Sequence, residues 1–138
     1  MTLAEIAQEY GLSLIYVFGS QAETALAILD GQSPPVTDPL SDIDIGVVFE
    51  KGLPPVDKRP DIYAGLYNNL QDIFRPHKVD LAFLQENHSV FQASVFAGKN
   101  IYCKDAETRF RYEEDVARRA ADFRPILEKY LDEILEET

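Results

Sequence analysis

Seven residues, Leu12 to Phe18, read Leu-Ser-Leu-Ile-Tyr-Val-Phe and stop at Gly19-Ser20. A short, uncharged run rich in β-branched and aromatic side chains predicts a largely buried strand. Gln21 to Leu29 suits a helix, so Gly19-Ser20 falls in a turn between a strand and a helix amino terminus. Backbone N–H groups in such a turn have no helical partner and point at whatever anion occupies it. Glycine at position 19 lets a phosphate approach the main chain without a Cβ in the way. The rest of the chain is read as serving this turn and a second short stretch, Asp42-Ile43-Asp44.

That stretch opens another strand-like run, Ile43 to Phe49. Alternation in its first half sends Asp42 and Asp44 to one face and Ile43 and Ile45 to the other, so the two carboxylates share a side. A third acid, Asp80, lies inside a predicted strand, Val79 to Leu84, among apolar neighbours where an ionised carboxylate is expensive unless solvated or paired with a cation. Mg²⁺ takes oxygen ligands and keeps some of its waters, so a few carboxylates plus substrate phosphates make a natural site. Two such ions clamp a nucleophile and a leaving pyrophosphate on opposite sides of the attacked phosphorus. The Gly-Ser turn would hold phosphate oxygens and the acids would hold metal. Asp80 would join the metal shell or receive the proton from an attacking hydroxyl.

The remaining periodicity predicts a small set of further elements. Leu3 to Tyr10 reads as a short amphipathic helix ended by Gly11, and Ile62, Leu66, Leu70, Ile73 and Phe74 mark another helix after the turn Gly52-Leu53-Pro54-Pro55. Asp30 to Leu40 is an exposed, turn-rich loop. Ser89 to Phe96 is a short helix, and Asn100 to Cys103 a brief extended piece. From Ala106 onwards one apolar stripe, Phe110, Ala117, Ala120, Phe123, Leu127, Tyr130 and Ile134, runs along a helical region that Pro125 should kink or divide near Asp122 to Arg124. His77 and His88 are placed at element ends facing water, with no role. Cys103 is read as a small core filler. Arg109, Arg111, Arg118, Arg119 and Arg124 are read mainly as a solvated, salt-paired face, with contact to a nucleotide or an acidic partner as the alternative. Tyr63, Tyr67, Tyr102, Tyr112 and Tyr130 are read as amphipathic packing, an exposed subset of which would suit an interface.

Composition narrows the partners. A chain of 138 residues suits one domain with a single core, and no run approaches the roughly 18 apolar residues of a membrane span. The amino-terminal Met1-Thr2-Leu3-Ala4-Glu5 lacks the basic start and apolar core of a secretion signal, so a cytoplasmic address is expected. One cysteine and two histidines are too few for an internal disulfide or a thiolate–imidazole zinc cage. Twenty-four acids against thirteen bases leave a net charge of −11, which repels long nucleic acid. A small nucleotide neutralised locally by metal remains compatible with that charge.

Phe18-Gly19-Ser20-Gln21-Ala22 followed by Ser41-Asp42-Ile43-Asp44-Ile45 resembles the Gly-Ser…Asp-x-Asp signature of the polymerase-β-like nucleotidyltransferases, with Val79-Asp80-Leu81 in the place of their third carboxylate. The whole chain is similar to their minimal nucleotidyltransferase (MNT) group, including Phe96-Ala97-Gly98-Lys99-Asn100-Ile101-Tyr102 and the Arg/Tyr-rich carboxy-terminal helix. The resemblance implies an α/β (α+β) fold with a small mixed sheet flanked by helices, ATP as nucleoside triphosphate donor and two Mg²⁺ ions. By that analogy Gly19, Ser20 and Ser41 belong to the nucleotide site, and Asp42, Asp44 and Asp80 to the metal and catalytic site. It also implies a HEPN-domain toxin as partner in a homo- or hetero-oligomer. The chain would then be the antitoxin of a type VII-like pair, transferring AMP to a toxin hydroxyl. Two rivals are a catalytically silent interaction module and a small-molecule, aminoglycoside-type nucleotidyltransferase. Two features depart from the family pattern: Gln21 follows Ser20 where a base is usual, and the twenty-one residues at positions 21 to 41 are more than the family's usual spacing. The surplus falls in the Asp30 to Leu40 loop, where added length costs little closure entropy.

Overall fold

The computed structural model describes residues 1–136. The elements run α1 (Leu3–Tyr10), β1 (Leu12–Phe18), α2 (Ala22–Leu29), β2 (Ile43–Phe49), α3 (Arg59–Phe74), β3 (Val79–Phe83), a 3₁₀ turn (Leu84–Glu86), α4 (Ser89–Val95), β4 (Lys99–Cys103) and α5 (Ala106–Glu136). The four strands form one mixed sheet in the order β3-β2-β1-β4. β1 is antiparallel to both β2 and β4, whereas β2 and β3 are parallel. This is the small mixed sheet with flanking helices that the resemblance implied.

Local chemistry accounts for the element ends. Thr2 and Glu5 close a capping box at the start of α1, and Gly11 ends that helix in the left-handed conformation at φ 68°. Pro60 occupies the first turn of α3, where its missing N–H is not needed. On one face of the sheet Ile15, Val17, Ile43, Ile45 and Val47 pack against Ile6 of α1 and Leu66, Leu70 and Phe74 of α3. On the other face Leu14, Tyr16 and Val48 meet Leu84 and Val95. A Cβ on Gly46 would lie 2.7 Å from Leu84 Cδ2, so glycine in β2 lets the 3₁₀ turn settle directly on the sheet. Gln71 aligns β3: its Nε2 donates to His77 O at 2.6 Å and its Oε1 accepts from Val79 N at 3.2 Å.

Several expectations need correction. Leu84 leaves β3 for the 3₁₀ turn, α2 begins one residue late at Ala22, and β4 begins one residue early at Lys99. His77 does not face water: it is 6% exposed, and its Nε2 lies 2.8 Å from Pro34 O, pinning the long loop to the start of β3. His88 is exposed as expected but caps α4, its Nδ1 accepting from Val90 N, with its ring 4.2 Å from that of Phe123. Cys103 is exposed, at the end of the edge strand β4.

Pro125 does not divide the carboxy-terminal helix, which is continuous from Ala106 to Glu136. At 1.5 Å per residue it is about 46 Å long, roughly twice a seven-residue strand, so it outruns the sheet. Only Val116 and Ala120 are buried, while Phe110 (65% exposed), Tyr130 and Ile134 of the expected stripe stand in solvent. Four of its arginines form the expected i,i+4 ion pairs, Arg109–Glu113, Arg111–Glu107, Arg118–Glu114 and Arg119–Asp115. Among the described residues no helix is long and apolar enough to cross a membrane.

Candidate active site

Sheet register places the acids. Phe18 is the partner of Asp44 across β1 and β2, and Asp44 is the partner of Asp80 across β2 and β3, so the three positions form one row. Neighbouring strands lie about 4.8 Å apart, which makes Asp44 and Asp80 immediate neighbours. Ile43 N donates to Lys78 O at 2.8 Å and holds the two strand starts level. Asp42 precedes β2 by one residue and is exposed, as is Asp80, while Asp44 is half-buried between them. Burial pushes the Asp44 carboxyl above the ordinary carboxylate value, and the charges of Asp80 and Asp42 push it further. The acids therefore feel one another without a base among them.

The Gly-Ser turn meets the same row. Gly19 has φ 73°, and a Cβ there would collide with Asp44 Oδ2. The main chain of Gly19 and the carboxylate of Asp44 are thus in direct contact, and exposed Ser20 is the next residue along. Ser41 turns instead toward the long loop: its hydroxyl donates to Asp38 Oδ2 at 2.8 Å. That bond and the Leu40 N–H hold the Asp38 carboxyl below its ordinary value. The Ser41 hydroxyl is therefore already engaged by its own loop.

The donor set is oxygen only, which suits a hard divalent cation such as Mg²⁺. Among the described residues no three His, Cys, Asp or Glu side chains converge tightly enough to cage a metal unaided. An open set of this kind still fits Mg²⁺, which retains waters and takes substrate phosphates to complete its shell. Like-charged carboxylates with no base between them, raising the Asp44 value, are the observation that matches a cation.

One residue was given no role from the sequence. A cavity of about 350 Å³ lies beside the Gly-Ser turn, and Lys99 is on its wall together with Ser94, Ala97 and Gly98. Lys99 is the β4 partner of Val17, two residues before Gly19. In the sequence it lies in the segment Phe96 to Tyr102, whose resemblance to the minimal nucleotidyltransferases assigns no role to the lysine.

With this geometry in place, comparison with known proteins is informative. A family model described as "Polymerase beta, Nucleotidyltransferase" matches residues 1–107. No curated protein matches the sequence. Among solved structures, the chain is similar to a chain of a substituted MntA–HpeT toxin–antitoxin complex at TM-score 0.67 and 18% identity, covering 96% of this chain and 95% of that one. A toxin–antitoxin complex with AMP-PNP is similar at TM-score 0.66 and 18% identity, with the same coverage. A tri-AMPylated Shewanella oneidensis HEPN toxin in complex with MNT antitoxin is similar at TM-score 0.63 and 17% identity, covering 96% of this chain and 92% of that one.

Proposed function

This chain belongs to the polymerase-β nucleotidyltransferase family, and from that membership we propose that it transfers AMP from ATP to a hydroxyl on a HEPN-domain protein, acting as the antitoxin of the pair. The observation that carries the reading is the single row in which Asp44 touches the Gly19 turn and stands in register with Asp80. Phosphate-binding backbone and metal-binding carboxylates then lie side by side, as nucleotidyl transfer requires. The similar structures lend support, since one is a complex with AMP-PNP and another contains an AMPylated HEPN toxin.

In this reading Gly19 and Ser20 hold phosphate oxygens of the donor through backbone N–H groups and the serine hydroxyl. Ser41, whose hydroxyl is tied to Asp38, reaches the nucleotide only by releasing that bond. Asp42 and Asp44 are ligands for two Mg²⁺ ions, with Asp80 completing the set. Held by these carboxylates, Mg²⁺ would supply neutralisation of the triphosphate charge and activation of the acceptor hydroxyl. The acceptor oxygen attacks the α-phosphorus in line, its proton passes to an Asp80 oxygen, and the bond to the β-phosphate oxygen breaks to release pyrophosphate. The exposed side chains Ile126, Tyr130, Leu131 and Ile134 on α5 offer an apolar surface of the kind a protein partner covers.

The test is transfer of label from α-labelled ATP to a purified HEPN-domain partner in the presence of Mg²⁺. Label must appear with the wild-type chain and vanish with Asp42→Asn or Asp44→Asn. Unchanged labelling in those variants removes the assignment. One observation favours a second reading, a silent module that neutralises its partner by covering it: among the described residues no three acids close on a metal without help. Calorimetry separates the two, because a silent module binds its partner yet gives no metal-dependent heat with ATP.

A further inference from the structure

We infer that Lys99 is the cation that holds the β- and γ-phosphates of the donor, in the cavity between the β1–α2 turn and the α4–β4 turn. The inference rests on the nucleotidyl-transfer reading and names a residue that the reading lacks. A triphosphate is strongly anionic, and the carboxylates of Asp42, Asp44 and Asp80 add negative charge. The residues following the Gly-Ser turn bring no cation: they are Gln21, Ala22 and Glu23. A protein cation for the distal phosphates has to come from elsewhere in the fold.

Three observations bring Lys99 to that place. First, Gly98 is pressed onto the end of β1. A Cβ there would collide with Val17 O and lie 2.8 Å from Phe18 Cα, atoms that cannot move aside as a flexible side chain could. The α4–β4 turn is thereby held against the strand that delivers Gly19. Second, the β1–β4 register sets Lys99 opposite Val17, two residues before Gly19, and Lys99 lines the same cavity as Gly19 and Ser20. Third, its charge is not cancelled. Lys99 forms no ion pair within the described residues, whereas Lys104, just past the far end of the same strand, is paired with Glu50. Glu23 shares the cavity wall but does not come within ion-pair reach of Lys99.

The size of the space agrees. Small-molecule pockets run from about 300 to 1,000 Å³, so a cavity of about 350 Å³ has room for the distal phosphates of a donor. A lysine is the appropriate group for it, a compact charge on a flexible stem that can follow the phosphates as the leaving pyrophosphate separates.

Calorimetry with Mg²⁺ and ATP, ADP or AMP tests this on the full chain. Lys99→Ala is expected to weaken ATP and ADP binding about tenfold to a hundredfold and to leave AMP binding within about twofold. Lys99→Arg should restore most of the ATP affinity, and all variants should melt at the wild-type temperature, because the side chain is exposed. Equal losses for ATP and AMP, or no loss for ATP in a chain whose wild type binds it, overturn the role of Lys99 alone. A wild-type chain that gives no Mg²⁺-dependent heat with ATP overturns the nucleotidyl-transfer reading and this inference with it.

Discussion

The carboxylate of Asp44 stands where a Cβ on residue 19 would be, so the acid keeps its place only while residue 19 is glycine. Two demands meet at that position, because φ 73° already disfavours any residue with a side chain. Gly19 is therefore as much a condition for the geometry of Asp44 as a turn residue.

Gly19→Ala should cost about 1–2 kcal/mol of stability from the left-handed conformation. Its effect on Mg²⁺-ATP binding should be larger than its effect on folding, since the shift falls on a proposed metal ligand. Denaturant unfolding and calorimetry on the same variant compare the two, and normal nucleotide affinity would contradict the contact.

Asp44→Asn should abolish transfer, by about a hundredfold or more, yet melt no lower than the wild type at neutral pH. Burial and the charges of Asp80 and Asp42 disfavour the ionised Asp44, so removing its charge relieves repulsion that the folded state carries. A thermal melt without metal or nucleotide checks this. A marked loss of stability would mean that Asp44 has a structural partner instead.

The chain should lose stability in alkali. Burial, and a 2.8 Å hydrogen bond from its hydroxyl to Glu113, raise the Tyr16 phenol above its ordinary value near 10, and burial raises Tyr112 in the same direction. Below pH about 10 both are protonated in the folded and the unfolded chain, and their contribution is present in full. Above it the unfolded chain ionises first, so stability falls as pH rises toward the folded values. Melting temperatures from pH 8 to 11 should decline more steeply for the wild type than for a Tyr16→Phe, Tyr112→Phe variant.

Gly98→Ala should destabilise the chain by about 1–3 kcal/mol, because its Cβ meets backbone at the end of β1. The α4–β4 turn must then lift, carrying Lys99 away from Gly19-Ser20. Weakened ATP binding in excess of the weakened fold, read by calorimetry below the melting range, is the expected outcome.

A chain ending at Arg124 should melt within about 2 °C of the full one, since among the described residues the helix beyond that point has no fully buried side chain. Circular dichroism should show the lost helix. A large drop in melting temperature would show that the outer half of α5 supports the core.

Local patterning was sufficient for most of this fold. The strands at Leu12–Phe18 and Ile43–Phe49 were legible to the residue, because short apolar runs bounded by glycine, proline and acids have few alternatives. The Gly-Ser turn followed from the strand that stops before it and the helix that starts after it. The errors have one origin, which is distance along the chain. His77 looked like a solvated residue until the loop at Pro34 folded onto it. The α5 stripe looked like a core seam until the helix outran the sheet beneath it. Cys103 looked buried until β4 proved to be an edge.

Sequence alone thus determined which segments are strands and helices and which residues could carry the chemistry, since periodicity and turn propensity act over a few neighbouring residues. Tertiary structure decided which of those residues meet. Asp44 against Gly19, Asp80 beside Asp44, and Lys99 on the cavity that Gly19 and Ser20 line all depend on strand order and register. Those are set by how separate apolar faces close on one core, and no short stretch of sequence contains that information.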